Sequence, residues 1–255
     1  MLKRKRGVKK IQEDEELANR ICRIKEEHPF WGYRRIWAWL RRKDGLVVND
    51  KKIYRIMKEK SLLCPRKGLR KSASREIRAK PRASRSNEYW GTDMTKIYIE
   101  KQGWAYLVVV LDWFSKKIVE INVAPRSRSR EWLQALNQAV NERFPFGVKG
   151  SGLHLVTDNG CQPTSIAFQD YCALTGIEQI YTSYNNPRGN AETERVIRTM
   201  KEELLWLREW SSFDELEKAV ESWVKDYNAN YLHSAHGYRS PEEVEAIAEV
   251  KSAVA

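Results

Sequence analysis

Residues 89–123 read YWGTDMTKIYIEKQGWAYLVVVLDWFSKKIVEINV. The opening alternates, with Trp90, Thr92 and Met94 followed by Ile97 and Ile99, as a strand with two unlike faces does. Lys101-Gln102-Gly103 makes a turn, and Trp104–Leu111 is a nearly unbroken apolar run. Such a run fits a central strand buried on both faces. Asp112-Trp113-Phe114-Ser115 then turns the chain into a third strand, Lys116–Val123. Three meandering strands result, and the remaining elements are read around them.

Towards the C-terminus the period changes. Ser127 is placed to cap a helix running to about Phe144. Leu153–Thr157 is a short fourth strand that ends at Asp158-Asn159-Gly160. A helix over about Thr164–Thr175 stops at Gly176, and Ile177–Tyr181 is a fifth strand. After the breakers Asn186-Pro187 and Arg188-Gly189 the chain turns helical, with good helix formers through Glu203. Further helices cover Ser212–Asn228 and Glu242–Val254. This order predicts an α/β fold, a mixed five-stranded sheet with helices packed on it.

Before residue 89 the chain has a different character. A basic arm at 1–10 precedes a helix over 12–27, which carries Leu17, Ile21 and Ile24 on one face. His28-Pro29 ends that helix. A second runs from about Gly32 to Arg42, with Ile36, Trp37 and Leu40 inward and Arg34, Arg35, Arg41 and Arg42 outward. Asn49 or Asp50 caps a third over Lys51–Lys60, whose outer face holds Lys51, Lys52, Arg55 and Lys58. Three short helices with a basic last one fit a small all-α, helix-turn-helix-like domain. Residues 64–87, rich in Arg, Lys and Ser, form a basic linker suited to tracking a phosphate backbone. The expected divisions are therefore 1–63, 64–87, 88–210 for a catalytic core, and 211–255 for a C-terminal helical segment.

Charge has the same division. The chain has 255 residues and a net charge of +12. Residues 1–86 hold 28 of the 46 Lys and Arg but 10 of the 34 Asp and Glu, a balance of +18. The remainder holds 18 and 24, a balance of −6. A polyanionic partner is implied, and its contacts belong to the N-terminal third. The basic start is not succeeded by the apolar segment of a signal peptide, and no run is long enough to cross a bilayer. Cys22, Cys64, Cys161 and Cys172 lack paired short spacing and read as reduced thiols of a cytoplasmic protein. His233-x-x-His236 has no cysteine near and reads as structural or DNA-facing rather than as a zinc site.

Three acids stand at the ends or starts of elements. Asp93 lies in the first strand and Asp158 at the exit of the fourth. Glu194 lies on the helix after the fifth, with 35 residues between it and Asp158. Adjacent central strands would set Asp93 beside Asp158, and the helix would lean Glu194 over them. Crowded carboxylates stay ionised when cations neutralise them. Oxygen ligands with open positions suit Mg2+ or Mn2+, and two such ions ~3.5–4 Å apart stabilise both oxygens of a phosphodiester displacement. Glu192 lies about 200° around the helix from Glu194, so both cannot face one site. Lys201, seven positions on, returns to within about 20° of Glu194. Spacing alone leaves the choice of acid open.

These stretches resemble the catalytic domain of retroviral-integrase-type DDE transposases. Within that class they are similar to the second-frame (OrfB) proteins of the insertion-sequence-three family. The resemblance rests on His28-Pro29-Phe30-Trp31-Gly32-Tyr33-Arg34-Arg35-Ile36, Trp90-x-Thr-Asp-x-Thr, and Trp104-x-Tyr-Leu with Asp112-x-x-Ser-Lys. It continues through Thr157-Asp158-Asn159-Gly160, Asn190-Ala191-x-x-Glu194 with Lys201, Tyr227-Asn228, and His233-Ser234-Ala235-x-Gly-Tyr-Arg-Ser-Pro. The matches stand in order over nearly the whole chain.

The resemblance implies an RNase H-like fold, with Asp93, Asp158 and Glu194 catalytic and holding Mg2+ or Mn2+, two ions to a site. It implies that Lys201 contacts DNA near the active site, with Arg198 and Asn159 as further candidate DNA contacts. Arg34, Arg35, Lys51, Lys52 and Arg55 are the candidates in the helical domain. The implied activity is cleavage and strand transfer of insertion-sequence ends, on double-stranded DNA, by a homo-oligomer. A first-frame (OrfA) protein or fusion is the further partner, because the family's upstream helix-turn-helix and leucine zipper are not in this chain. Gly189 and Cys161-Gln162-Pro163 depart from the family's usual residues beside the site. Two alternatives stand beside this reading, a non-catalytic DNA-binding modulator of transposition and an RNase H-like nuclease.

Overall fold

The computed structural model of the protein describes residues 2–65, 81–182 and 189–254, with side chains described between Asp14 and Lys251. The chain divides into two compact units, Met1–Glu76 with Leu232–Tyr238, and Ile77–Tyr231 with Arg239–Ala255. Most of the expected linker 64–87 and the expected turn at Asn186-Pro187 lie outside the described residues.

The first unit contains α1 (Leu2–Glu27), α2 (Tyr33–Arg42) and α3 (Asp50–Glu59). From Leu2 on, the expected basic arm is instead the start of α1, whose Lys, Arg and Leu are good helix formers. Leu17, Ile21, Ile24, Ile36, Leu40, Ile53, Ile56 and Met57 are buried in this unit. His28 stacks on Trp31 with ring centroids 3.7 Å apart, which packs the chain where α1 ends. Asn49 caps α3 by accepting from the Lys51 N–H at 2.9 Å. Leu232 is buried, and its carbonyl accepts from Arg35 Nε at 3.2 Å. Tyr238 meets Trp37 edge to face. Those contacts place the 232–238 segment in the helical unit.

The second unit is built on a five-stranded sheet of β1 (Tyr89–Ile99), β2 (Gly103–Asp112), β3 (Ile118–Ala124), β4 (His154–Thr157) and β5 (Glu178–Tyr181), in the order β3-β2-β1-β4-β5. The β1–β2 and β2–β3 pairs are antiparallel, and the β1–β4 and β4–β5 pairs are parallel. The apolar run of β2 is buried from Leu107 to Asp112, as its central position requires.

The helices are α4 (Ser129–Arg143), α5 (Ile166–Thr175), α6 (Ala191–Met200), α7 (Phe213–Asn230) and α8 (Pro241–Val254). Trp132, Leu136 and Val140 of α4 and Phe168 and Cys172 of α5 pack with Trp90, Val108 and Val110. Ser127 does not cap α4. Its hydroxyl accepts from the Trp132 indole at 3.1 Å, while Glu131 accepts from the Arg128 N–H at 2.7 Å.

The edge strand β3 is covered on its outer side by a side chain. Asn228 of α7 accepts from the Ile118 N–H at 3.0 Å and donates to the Ile118 carbonyl at 2.9 Å, as a neighbouring strand would. Glu245 of α8 is buried between Arg143 at 2.7 Å and Lys117 at 3.2 Å. The expected separate segment 211–255 is thus divided. Its helices are fastened to the sheet unit, and 232–238 belongs to the helical one. Among the described residues no helix is long and apolar enough to cross a membrane.

Candidate active site

The sheet register sets the first two acids opposite each other. Tyr89 to Gly91 of β1 pair in parallel with His154 to Val156 of β4, an offset of 65 residues. Continued two steps past the last pair, that offset brings Asp93 level with Asp158, the residue after the end of β4. The loop that carries Asp158 is held to the next strand. Thr182 donates its N–H to the Thr157 carbonyl at 2.9 Å, and the Asn159 amide donates to the Thr182 carbonyl. Asn159 therefore braces the loop rather than pointing away from it. Asp158 is exposed, and one of its oxygens accepts from the Gly160 N–H at 3.0 Å.

Glu194 stands in the first turn of α6, where the helix N-terminus favours a negative side chain. Successive residues of a strand face opposite ways, so Gly91 and Asp93 share the face opposite Trp90 and Met94. On that face α6 approaches β1 very closely. A Cβ added at Gly91 would stand 2.1 Å from Thr193 Oγ1, 2.3 Å from Trp113 Nε1 and 2.9 Å from Asn190 Oδ1. A glycine is required there. Trp113 donates its indole N–H to the Thr193 hydroxyl at 3.2 Å. Asn190 donates its amide to the Thr92 carbonyl at 3.0 Å, and its own main-chain carbonyl accepts from the Glu194 N–H at 3.0 Å. One buried residue thus ties the strand at Asp93 to the turn that bears Glu194.

Asp93 is half-buried, and one oxygen accepts from the Met94 N–H at 2.7 Å. Burial is the largest influence on its carboxyl and raises the pKa, to about 6. The Met94 hydrogen bond opposes this, the charges of Asp158 and Glu194 add to it, and Lys201 lowers it. Asp158, Glu194 and Lys201 therefore lie within electrostatic reach of Asp93. Glu192 turns away and pairs with Lys116 at 3.0 Å. Among the described residues no three His, Cys, Asp or Glu side chains are close enough to hold a metal ion. The set fits a hard divalent ion in its chemistry, with oxygen donors throughout and the charges of Asp158 and Glu194 both acting on Asp93.

Other sequence candidates are placed elsewhere. Arg198 is exposed and pairs with Glu202 at 2.9 Å along the same helix. In the helical unit Arg34 and Lys51 are exposed. Arg35, expected outward, is half-buried because its guanidinium binds the Leu232 carbonyl and lies over the Trp31 ring. Lys52 and Arg55 both pair with Asp14 of α1, so part of the basic face of α3 is neutralised within the unit. Asp112 is no ligand. Its carboxylate accepts from the N–H groups of Asn87 and Ser115 and shapes the β2–β3 turn. Gly91, Thr193 and Trp113 had no role assigned from sequence, although a glycine inside a strand is itself a sign of close backbone approach.

Comparison with known proteins agrees with this architecture. Residues 83–187 match the model of an integrase core domain, and residues 175–241 match a second model of the same description. Residues 12–70 match an HTH-like domain. The two integrase-core matches together span residues 83–241, and the chain is homologous to transposases of insertion elements. It is 28% identical over 236 residues to the transposase InsD of insertion element IS2A/D/F/H/I/K from Escherichia coli, covering 91% of this chain and 78% of that one. The InsD transposase of element IS2-9 from Escherichia coli (strain K12) gives 28% over 236 residues, 91% and 77%. Among solved structures, a chain of the simian T-cell lymphotropic virus intasome superimposes with a TM-score of 0.51 at 17% identity, covering 82% of this chain and 73% of that one. That likeness shows the fold, an integrase-like mixed sheet.

Proposed function

We propose that this transposase cuts and joins DNA ends at a site formed by Asp93, Asp158 and Glu194, with Lys201 as the residue that holds the DNA strand beside it. The observation that carries the reading is the half-buried Asp93 carboxyl, whose charged neighbours are those two acids and that lysine. The three carboxylates would hold Mg2+ or Mn2+, one or two ions, which when bound supply neutralisation of the phosphate oxygens and activation of the attacking oxygen. The residues of the chain do the rest. Asn190 and Gly91 keep Glu194 near Asp93, Asn159 steadies the Asp158 loop, and Lys201 offers a cation to a phosphate.

In the reaction a water oxygen attacks phosphorus, and the P–O bond to the 3′ oxygen breaks to free a 3′-hydroxyl. That hydroxyl then attacks a second phosphodiester, so one P–O bond forms as another breaks, and no protein–DNA bond is made. The helical unit, through Arg34 and Lys51, and through Lys52 and Arg55 where DNA phosphates displace Asp14, is the double-stranded DNA-binding part. The working form is a homo-oligomer on DNA, acting in the bacterial cytoplasm.

The test is strand cleavage and joining on DNA carrying the ends that flank this coding sequence, with Mg2+ or Mn2+. We expect Asp158→Asn and Glu194→Gln to lose activity by more than ~10³-fold, and Glu192→Gln to stay within about tenfold of the parent. Full activity of Asp158→Asn would end the assignment.

A further inference from the structure

Beyond α6 the helix changes pitch. Lys201–Leu205 form a π-helical turn, closed by a hydrogen bond of 2.9 Å from the Trp206 N–H to the Lys201 carbonyl five residues back. Such turns insert one residue and rotate the chain beyond them, and they occur often at functional sites. The residue presented after this one is Trp206, which is 61% exposed. Its frame is firm on both sides. Leu205 is buried, and its carbonyl accepts from the buried Trp210 indole at 3.1 Å. The Trp210 carbonyl in turn accepts from the Glu100 N–H at 3.0 Å.

An indole on a fixed frame, left in solvent, offers a flat rigid face to a partner at low entropic cost. Its setting says which partner. The Lys201 ammonium lies over the Trp206 ring, 6.0 Å from the centroid, and Lys201 stands seven residues, about two turns, beyond Glu194 on the same helix face. The ring therefore lies further along the helix from Glu194, with one lysine between. Trp31, Trp90, Trp113, Trp132 and Trp210 are buried in their units, and the other well-exposed tryptophan, Trp104, pairs with Tyr98 at the far end of the β1–β2 hairpin. Protein interfaces exclude charge from their aromatic centres, whereas an opened nucleic acid strand needs a cation for its phosphate and a flat ring for its base.

We propose that Trp206 is a stacking platform for a nucleobase unpaired beside the scissile phosphate, while Lys201 holds that nucleotide's phosphate. The proposal rests on the DNA-end reading of the acid site. It assigns the strand next to the cut an opened, base-flipped form, and makes Trp206 a residue that binds substrate.

The experiment uses the full chain and two probes, a blunt duplex and a forked duplex whose unpaired positions carry 2-aminopurine in turn. We expect the parent to quench one of those positions. Trp206→Ala should abolish the quench and weaken fork binding by about tenfold, with blunt-duplex binding unchanged, and Trp206→Phe should keep most of both. Equal quenching and fork affinity in Trp206→Ala and parent would overturn the proposal. So would an equal loss on fork and blunt duplex, which would mark a general surface effect. Metal-dependent cleavage by the parent is assayed alongside. Its absence would sink the catalytic reading, while the quench decides the stacking.

Discussion

The Asn190 side-chain amide donates to the main-chain carbonyl of Thr92 at 3.0 Å, one residue before Asp93. The same residue starts α6, and its main-chain carbonyl receives the Glu194 N–H. Two acids that lie 101 positions apart are thereby referred to one residue. Asn190→Ala removes the strand contact and leaves the helix intact. We expect a stability loss of about 1 kcal/mol and a cleavage-rate loss nearer a hundredfold, because a shift of ~1 Å at a reacting centre costs that much. Rate constants at saturating DNA and a thermal melt check it. A rate that falls no more than the stability does would refute the positioning role.

How much of this was legible in sequence differs by feature. The five strands and the helices between them showed in their periods, because residues 104–111 are nearly all apolar and Trp90, Thr92 and Met94 alternate with smaller or charged residues. The three acids stood out by spacing and resemblance. What linked them did not. The Gly91 contact with Thr193 joins residues 102 positions apart, and a small residue in a strand carries no sign of which helix presses on it. Nothing in the sequence singles out Glu245, because its partners Arg143 and Lys117 come from distant elements. The pairing of Lys52 and Arg55 with Asp14 was equally hidden, since helix periodicity orients faces without choosing their neighbours.

On the proposed function, Asp93 is expected to couple activity to stability. Its folded pKa, about 6, lies above that of an unfolded aspartate near 3.9. The protonated form is therefore favoured by folding. Its contribution is complete below the unfolded value and is lost as pH rises through about 6. At pH 7 without divalent metal the charged carboxylate is a cost, held near 1 kcal/mol because the side chain is only half-buried. Asp93→Asn should raise the melting temperature of the metal-free protein at pH 7 by a few degrees, with little change at pH 4. It should also abolish cleavage. An unchanged or lower melting temperature at pH 7 would contradict this account.

Glu245 is expected to behave in the opposite sense. Burial alone would raise its pKa, but the hydrogen bond and charge of Arg143, with Lys117, outweigh it and hold the carboxyl below its ordinary value. Its stabilisation is present above the unfolded pKa and is lost as pH falls through the lower folded one. Glu245→Gln leaves two largely buried cations without a counter-charge, so the loss at pH 7 should be about 3 kcal/mol. Melts at pH 7 and pH 3.5 check it. The difference between variant and parent should shrink at the lower pH, and a constant difference would show that shape, not charge, sets the effect.

Asp14 limits how basic the helical unit looks to DNA. Lys52 and Arg55 both spend their charge on it, Arg55 at 3.0 Å. A phosphate that recruits either cation must first displace the carboxylate. Asp14→Asn removes that competitor, so duplex affinity should rise severalfold at low salt. The slope of log K against log salt should steepen by about 0.9 for each cation recruited, up to about 1.8 for both. Lys52→Gln should weaken binding in the Asp14→Asn background more than in the parent, because in the parent the lysine is already committed. Titrations between low and moderate salt measure both slopes. Equal slopes for Asp14→Asn and parent would mean that α3 does not face the phosphates and that the DNA contact of this unit lies on another helix.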